Sequence, residues 1–204
     1  MRTDIGADRH GSFVRAVKSL VVPRPIAWVS SVSAAGVHNL APHSFFTVAS
    51  GSPTIVQFVS VGEKDSLRNI RHSREFVVNL AAAGLFERIN ATGTDYPPGI
   101  SEFDAAGLTR EPSLTVAAPR VAESPAAIEC RLHGEPLPIG DSFLVFGEVT
   151  HVVVDEDAMD ERGPVVRSLD PIARLGRNEW GELGRIRSIR RVPYRETAPE
   201  ADLP

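Results

Sequence analysis

The chain has 204 residues, of which 42% are hydrophobic and 24% charged, an ordinary balance for a soluble globular protein. A formal net charge of −4 argues against a basic nucleic-acid footprint, and a lone cysteine, Cys130, excludes an internal disulfide. No stretch approaches the roughly 18 apolar residues that a membrane helix needs.

The polar opening, Met1 to His10, lacks the apolar region of a signal peptide, so the expected location is the cytoplasm. Residues 12–22 have the spacing of a short helix, with Phe13, Val14, Val17 and Leu20 or Val21 facing inward. After the stiff Val22-Pro-Arg-Pro25, residues 26–32 read as a strand and Ser33 to Gly36 as a turn. Residues 37–48 form a second extended run that pairs back as a hairpin, and residues 53–60 a third strand rich in β-branched side chains. Residues 64–72 have helical spacing, with Asp65 or Ser66 available as cap. A strand over 75–80 and a short helix over 84–91 follow.

Residues 93–125 are the least regular part, carrying five prolines and several glycines. A connection this long in a compact domain is usually functional, disordered, or holds a small element of its own; one helical turn is expected at 101–107. Residues 127–133 alternate cleanly, with Ile128, Cys130 and Leu132 on one face and Glu129, Arg131 and His133 on the other, the pattern of a half-buried strand. Residues 142–154 form a long strand with a bend expected at Gly147. The basic tail begins near Asp170, and about 185–204 reads as flexible. Six or seven strands, a few short helices and no βαβ rhythm favour one mainly β domain over 1–204, an antiparallel barrel with Greek-key-like connections.

Several familiar sites are absent from the sequence: no G-x-G-x-x-G after a strand, no P-loop, no H-E-x-x-H, no C-x-x-C pair and no G-x-S-x-G elbow. Four segments have chemistry to offer. Ser30 and Ser31 place hydroxyls at a strand end, able to bond a phosphate or ring carbonyl, although a wetted strand end has the same look. In Asn39 to Phe46, Pro42 breaks the ladder and frees backbone groups beside Ala41, His43 and Ser44. Lys64-Asp65-Ser66 opens a helix, where free N–H groups and the dipole favour an anion; an ordinary cap with a solvated lysine fits equally well. Arg174 to Trp180 is a basic, aromatic stretch that suits an anionic ligand, a partner subunit, or plain solvent. His38 and His43, five apart on a strand, face opposite ways and make poor joint metal ligands, and no metal site is expected. Cys130 alternates inward and reads as core.

Taken in order, these segments resemble the flavin reductase-like family, in its flavoredoxin-type branch. The likeness rests on Arg24 to Ser31, Asn39 to Phe46, Lys64 to Ile70, Glu75 to Leu80, Glu102-Phe103, Ala106 to Thr109, Ser124-Pro125 and Arg174 to Gly176, and it spans about residues 18–184. Each piece is weak, but the ordered set is specific. The resemblance implies an FMN-binding split β-barrel, FMN held non-covalently, and a homodimer with the flavin near the subunit interface. Carried onto this chain, it puts Ser30 and Ser31 by the flavin or its ribityl chain. Ala41, Pro42, His43 and Ser44 then face the ring, and Lys64, Asp65 and Ser66 surround the phosphate. Ser31 and Ser66 stand where the family often has Thr, and Trp180 where Tyr is expected. His43 stands where Phe or Tyr is more usual.

The implied activity is that of an NAD(P)H:FMN oxidoreductase. NADH or NADPH would be co-substrate, and reduced flavin would go to an oxygenase or an electron-transfer protein. Two alternatives are an FMN carrier reduced by a protein partner and a dimer that binds a non-flavin ligand. No catalytic residue is assigned; His43 is the leading candidate, with His133 behind it.

Overall fold

The computed structural model describes residues 2–97, 99–192 and 194. Seven strands carry the fold: β1 (Ala27–Val32), β2 (His38–His43), β3 (Phe46–Gly51), β4 (Thr54–Val61), β5 (Glu75–Leu80), β6 (Ala126–Leu132) and β7 (Ser142–Val154). Five α-helices among the described residues accompany them: α1 (His10–Leu20), α2 (Asp65–Ser73), α3 (Phe86–Ala91), α4 (Glu102–Ala105) and α5 (Val166–Leu169). The strands form one antiparallel sheet in the order β2-β1-β5-β6-β7-β4-β3, and Leu137–Ile139 adds a short strand beside β7.

The two edge strands of that sheet are neighbours in the chain, joined only through Ser44 and Phe45. The sheet must therefore curl until its edges meet. Just before β3, the Val59 N–H donates to the Phe45 carbonyl at 3.0 Å, carrying the β3–β4 ladder up to this crossing. Curling also limits the exposed edge that an open sheet presents to other chains.

The curled sheet has two buried faces. Inside lie Ala27, Val29, Phe58, Phe76, Cys130 and Val145, with Phe58 and Phe76 edge to face at 5.6 Å between centroids. Leu67 and Ile70 of α2 enter the same cluster, because a three-residue step keeps both on one side of the helix. Outside, Trp28, Leu40, Ile89, Phe103 and Val121 form a second cluster beneath the irregular segment that carries α3 and α4. Alternation along β1 explains the division: Ala27 and Val29 point in, Trp28 points out.

Four details depart from the sequence reading. No residue of α1 is buried, and its apolar Phe13, Val17 and Leu20, expected to face inward, are exposed. α2 has Lys64 at its cap position, with no side-chain cap bond. Along β6 Glu129, expected toward solvent, is fully enclosed, while Arg131 on the same face is exposed. Gly147 stays in register in β7, and the bulge falls later, between Val149 and His151. The glycine is there because a Cβ would stand 2.3 Å from the Phe76 ring. The flexible tail expected over 185–204 falls largely on residues outside those described. Among the described residues no helix is long and apolar enough to cross a membrane.

Candidate functional site

A cavity of about 590 Å³ opens beside the seam, where β2 ends and α2 begins. Its size lies within the range of small-molecule and cofactor sites. Seven of the nine expected site residues line it: Ala41, Pro42 and His43 from the end of β2, Ser44 just after it, and Lys64, Asp65 and Ser66 from the start of α2. The break expected at Pro42 does not occur: Ala41, Pro42 and His43 stay in register with Val29, Trp28 and Ala27, since Pro42 sits in an edge strand, and the ladder ends only after His43.

Ser30 and Ser31 do not line the cavity. Both are fully buried. Ser30 Oγ donates to the Pro119 carbonyl at 2.5 Å on the outer face of the sheet. Ser31 Oγ sits one residue behind the wall, accepting from Asn69 Nδ2 at 3.1 Å and lying 3.4 Å from Asn39 Oδ1. A strand pattern tells which face a serine takes but not what covers that face.

The start of α2 has no side-chain cap because its candidates are engaged elsewhere. Asp65 pairs with Arg68, and the Ser66 hydroxyl donates to Asn39 Oδ1 at 2.9 Å. The N–H groups of the first turn are thus left without a side-chain acceptor at residues that line the cavity. Lys64 stands beside them, half exposed, in an ion pair with Asp95 at 2.9 Å. Such an exposed pair is worth little and yields readily to a stronger anion.

Behind this wall runs a buried polar network. Asn39 Nδ2 donates to Glu102 Oε1 at 2.8 Å, and the Leu40 N–H donates to Glu102 Oε2 at 2.9 Å. Glu102, from α4, thereby caps the outer edge of β2 and holds Asn39 in place for Ser66. Burial raises the Glu102 pKa, against the opposing pull of the Leu40 N–H. His43 Nε2 lies 3.4 Å from Ser66 Oγ, and the imidazole packs on Phe58 with centroids 4.6 Å apart. Burial drives the His43 pKa down to about 4, although a hydrogen bond to the Val59 backbone resists it. The ring is therefore neutral at physiological pH. His133, the second histidine candidate, lies outside the cavity, 3.3 Å from Glu148.

The sequence reading missed most of the opposite wall. Arg15 and Lys18, three apart on α1, join Arg24, Arg174 and Arg177 there. The i, i+3 spacing was the available signal on the helix. Of this set only the Arg174 stretch had been marked for an anionic ligand. Arg24 is fixed by donating to the carbonyls of Lys18, Val21 and Leu175. Phe45 lies between the walls, its ring centroid 5.7 Å from Lys18 Nζ and 6.0 Å from Arg24 Cζ. Seven lysine or arginine and four acidic residues line the cavity, so the site is cationic although the chain is not. Among the described residues no group of three His, Cys, Asp or Glu is arranged to hold a metal. Cys130 lies in the inner core, its pKa pushed up to about 12 by burial.

Comparisons with solved proteins agree with this architecture. The 2-nitrobenzoate 2-nitroreductase NbaA of Pseudomonas fluorescens is 31% identical and superposes with a TM-score of 0.86, covering 98% of this chain and 100% of its own. Nitrilotriacetate monooxygenase component B of Bacillus cereus is 28% identical with a TM-score of 0.86, over 93% of this chain and 99% of its own. A split-barrel-domain protein from Shewanella frigidimarina, 22% identical, shares the fold with a TM-score of 0.83, over 95% and 100% of the two chains. The family model described as the flavin reductase like domain matches residues 19–169. With the curled sheet and the cavity at its seam, this match shows that the chain is a split barrel belonging to the flavin reductase-like family.

Proposed function

We propose that this chain binds FMN non-covalently in the seam cavity, as a homodimer, and acts as an NAD(P)H-dependent flavin reductase. Family membership implies a flavin as the ligand class. The observation that carries the reading is the uncapped start of α2, opening on the cavity with Lys64 and Ser66 alongside. Orphan N–H groups, a helix dipole and an ammonium group suit a phosphate monoester.

Each residue then has a defined task. Lys64 supplies a point charge and releases Asp95 when an anion arrives. The Ser66 hydroxyl, which donates to Asn39 Oδ1, can turn the same hydrogen toward a phosphate oxygen. As β2 is a sheet edge, backbone of its last residues and of Ser44 beyond it is available to the polar edge of a ring, while Pro42 contributes no donor. His43, neutral and buried, lines the cavity without adding charge. Flavin, when bound, supplies the hydride chemistry. The protein's share is to hold it, to keep its surroundings dry on the side of Phe58, and to leave room for a second reactant. The uncovered apolar face of α1 suits a second copy of the chain. The likeness to a component of a two-part monooxygenase supports an oxygenase as the recipient of reduced flavin.

The test is a visible spectrum of the purified protein after FMN is added and free flavin removed, followed by nicotinamide oxidation with and without FMN. A retained, perturbed flavin spectrum and FMN-dependent oxidation are expected. Lys64→Ala should weaken FMN binding by roughly 10- to 100-fold, the worth of one charge-assisted bond. Unchanged affinity would remove Lys64 from the phosphate site.

A further inference from the structure

The two walls of the cavity differ in how their charges are spent. On the α2 side every lining carboxylate has a local partner: Asp65 with Arg68, Asp95 with Lys64, Glu63 with Arg71, and Glu102 with Asn39 and the Leu40 N–H. On the other side stand Arg15, Lys18, Arg24, Arg174 and Arg177, and among the described residues none of the five has a carboxylate within ion-pair distance. The chain even brings two of them face to face, since Arg24 and Arg174 are direct partners in a short antiparallel ladder. Arg174 Nη2 in turn donates to the Arg177 carbonyl at 3.0 Å. Glu179, the nearest acidic residue in the same turn, uses its backbone there, accepting from the Leu175 N–H at 3.0 Å.

Arg24 marks this cluster as more than a solvated surface. It is only 9% exposed, and its Nε is buried without a hydrogen-bond partner. Burial, and after it the Arg174 charge, disfavours its protonated form. Three backbone carbonyls accept from Arg24, but among the described residues no carboxylate neutralises the like charges packed together here, and that arrangement costs free energy. An anion seated on this wall would return it.

We infer that this wall is a phosphate subsite for the electron donor, and that it selects the 2′-phosphorylated dinucleotide, NADPH, over NADH. This rests on the reading of the cavity as a flavin site, and it adds the identity of the second ligand. The argument is one of charge matching. A dinucleotide pyrophosphate carries two negative charges, fewer than five cations can neutralise. A 2′-phosphate adds about 1.5 to 2 more. Sites that prefer the unphosphorylated ribose offer it a carboxylate, whereas arginine accommodates the phosphate. Among the described residues, the carboxylates that line the cavity (Glu63, Asp65, Asp95 and Glu102) belong to the opposite wall.

The test uses adenosine 2′,5′-bisphosphate and 5′-AMP as probes, titrated calorimetrically into the FMN-loaded protein. The bisphosphate should bind roughly 10- to 100-fold more tightly. Steady-state oxidation should favour NADPH in the same direction. The double substitution Lys18→Gln, Arg177→Gln, at two exposed positions, should erase the probe preference and leave FMN affinity unchanged. Equal binding of the two probes overturns the inference. So does a double variant that loses FMN and keeps the probe ratio, since the cluster would then serve the flavin. Should the protein hold no flavin at all, the flavin reading falls, and titration of the flavin-free protein with the same probes still decides this one.

Discussion

The inner and outer faces of the sheet each carry a buried cluster, yet the two are built from different materials. Inside, Phe58, Phe76, Val145 and Cys130 fill space, and burial keeps the thiol protonated. Outside, Ser30, Asn79 and Glu129 are just as inaccessible, and each is bonded to the segment between β5 and β6. Asn79 accepts the Val121 N–H at 2.8 Å, and Ser30 donates to Pro119. Glu129 accepts the Leu114 N–H at 2.9 Å, and the Thr115 N–H and hydroxyl at 2.6 and 2.7 Å. The difference has a simple origin. A strand brings its own ladder, whereas an irregular segment arrives with unpaired backbone groups that cannot be buried unsatisfied. The sheet answers them with polar side chains, and the long connection is ordered without becoming regular.

Three measurements would break or sharpen that contrast. The largest effect is expected inside. Phe58→Ala should lower unfolding free energy by about 3–5 kcal/mol in a denaturant titration, as a large cavity opens in a packed cluster. A loss under about 1 kcal/mol would mean that the interior is not where packing matters.

Next comes the intolerance of that interior to charge. His43 packs on Phe58 and its pKa falls from 6.5 to about 4 on folding. Between those values the unfolded chain binds more protons than the folded one. Stability therefore declines as pH drops from about 6.5 toward 4 and levels off below, a loss of roughly 3 kcal/mol from this residue. His43→Phe should flatten that part of the stability–pH curve; an unchanged curve would refute the assignment.

The smallest of the three concerns the outer face. Burial alone would raise the Glu129 pKa, but the bonds from Leu114 and Thr115 outweigh it and leave the carboxylate below its ordinary range. Glu129→Gln keeps the shape and removes the charge. It should cost about 1–3 kcal/mol and speed amide exchange at Leu114 and Thr115, with amides of β4 little affected. Uniform acceleration across the sheet would show that the two faces are not separable.

The sequence was most readable where one rule acted alone. The 75–80 strand has its expected bounds, and α2 lies within a residue of them, because β-branched runs and apolar steps of three are local signals. Glu129 was misjudged because alternation assigns polar residues to solvent and cannot see a covering segment that comes from elsewhere in the chain. In β7 a bend was expected at Gly147, but the register shift falls between Val149 and His151. The extra residue is Thr150, whose hydroxyl donates to the Glu129 carbonyl at 3.1 Å, again a contact made by folding. At the cavity, the Lys64 wall is contiguous in sequence and could be read. The cationic wall joins residues 15–24 to residues 174–177, and no window of the sequence contains both.

The strand order also sets a timetable for the nascent chain. β4 pairs with β3, made just before it, and with β7, made long after. A ribosome therefore releases the β3–β4 hairpin well before its second partner exists. During that interval the Phe58 side of β4 has no sheet to complete, and the hairpin is an exposed apolar edge of the kind that chaperones bind. The barrel closes late and from its far end, so the cavity at its seam is among the last features of the molecule to form.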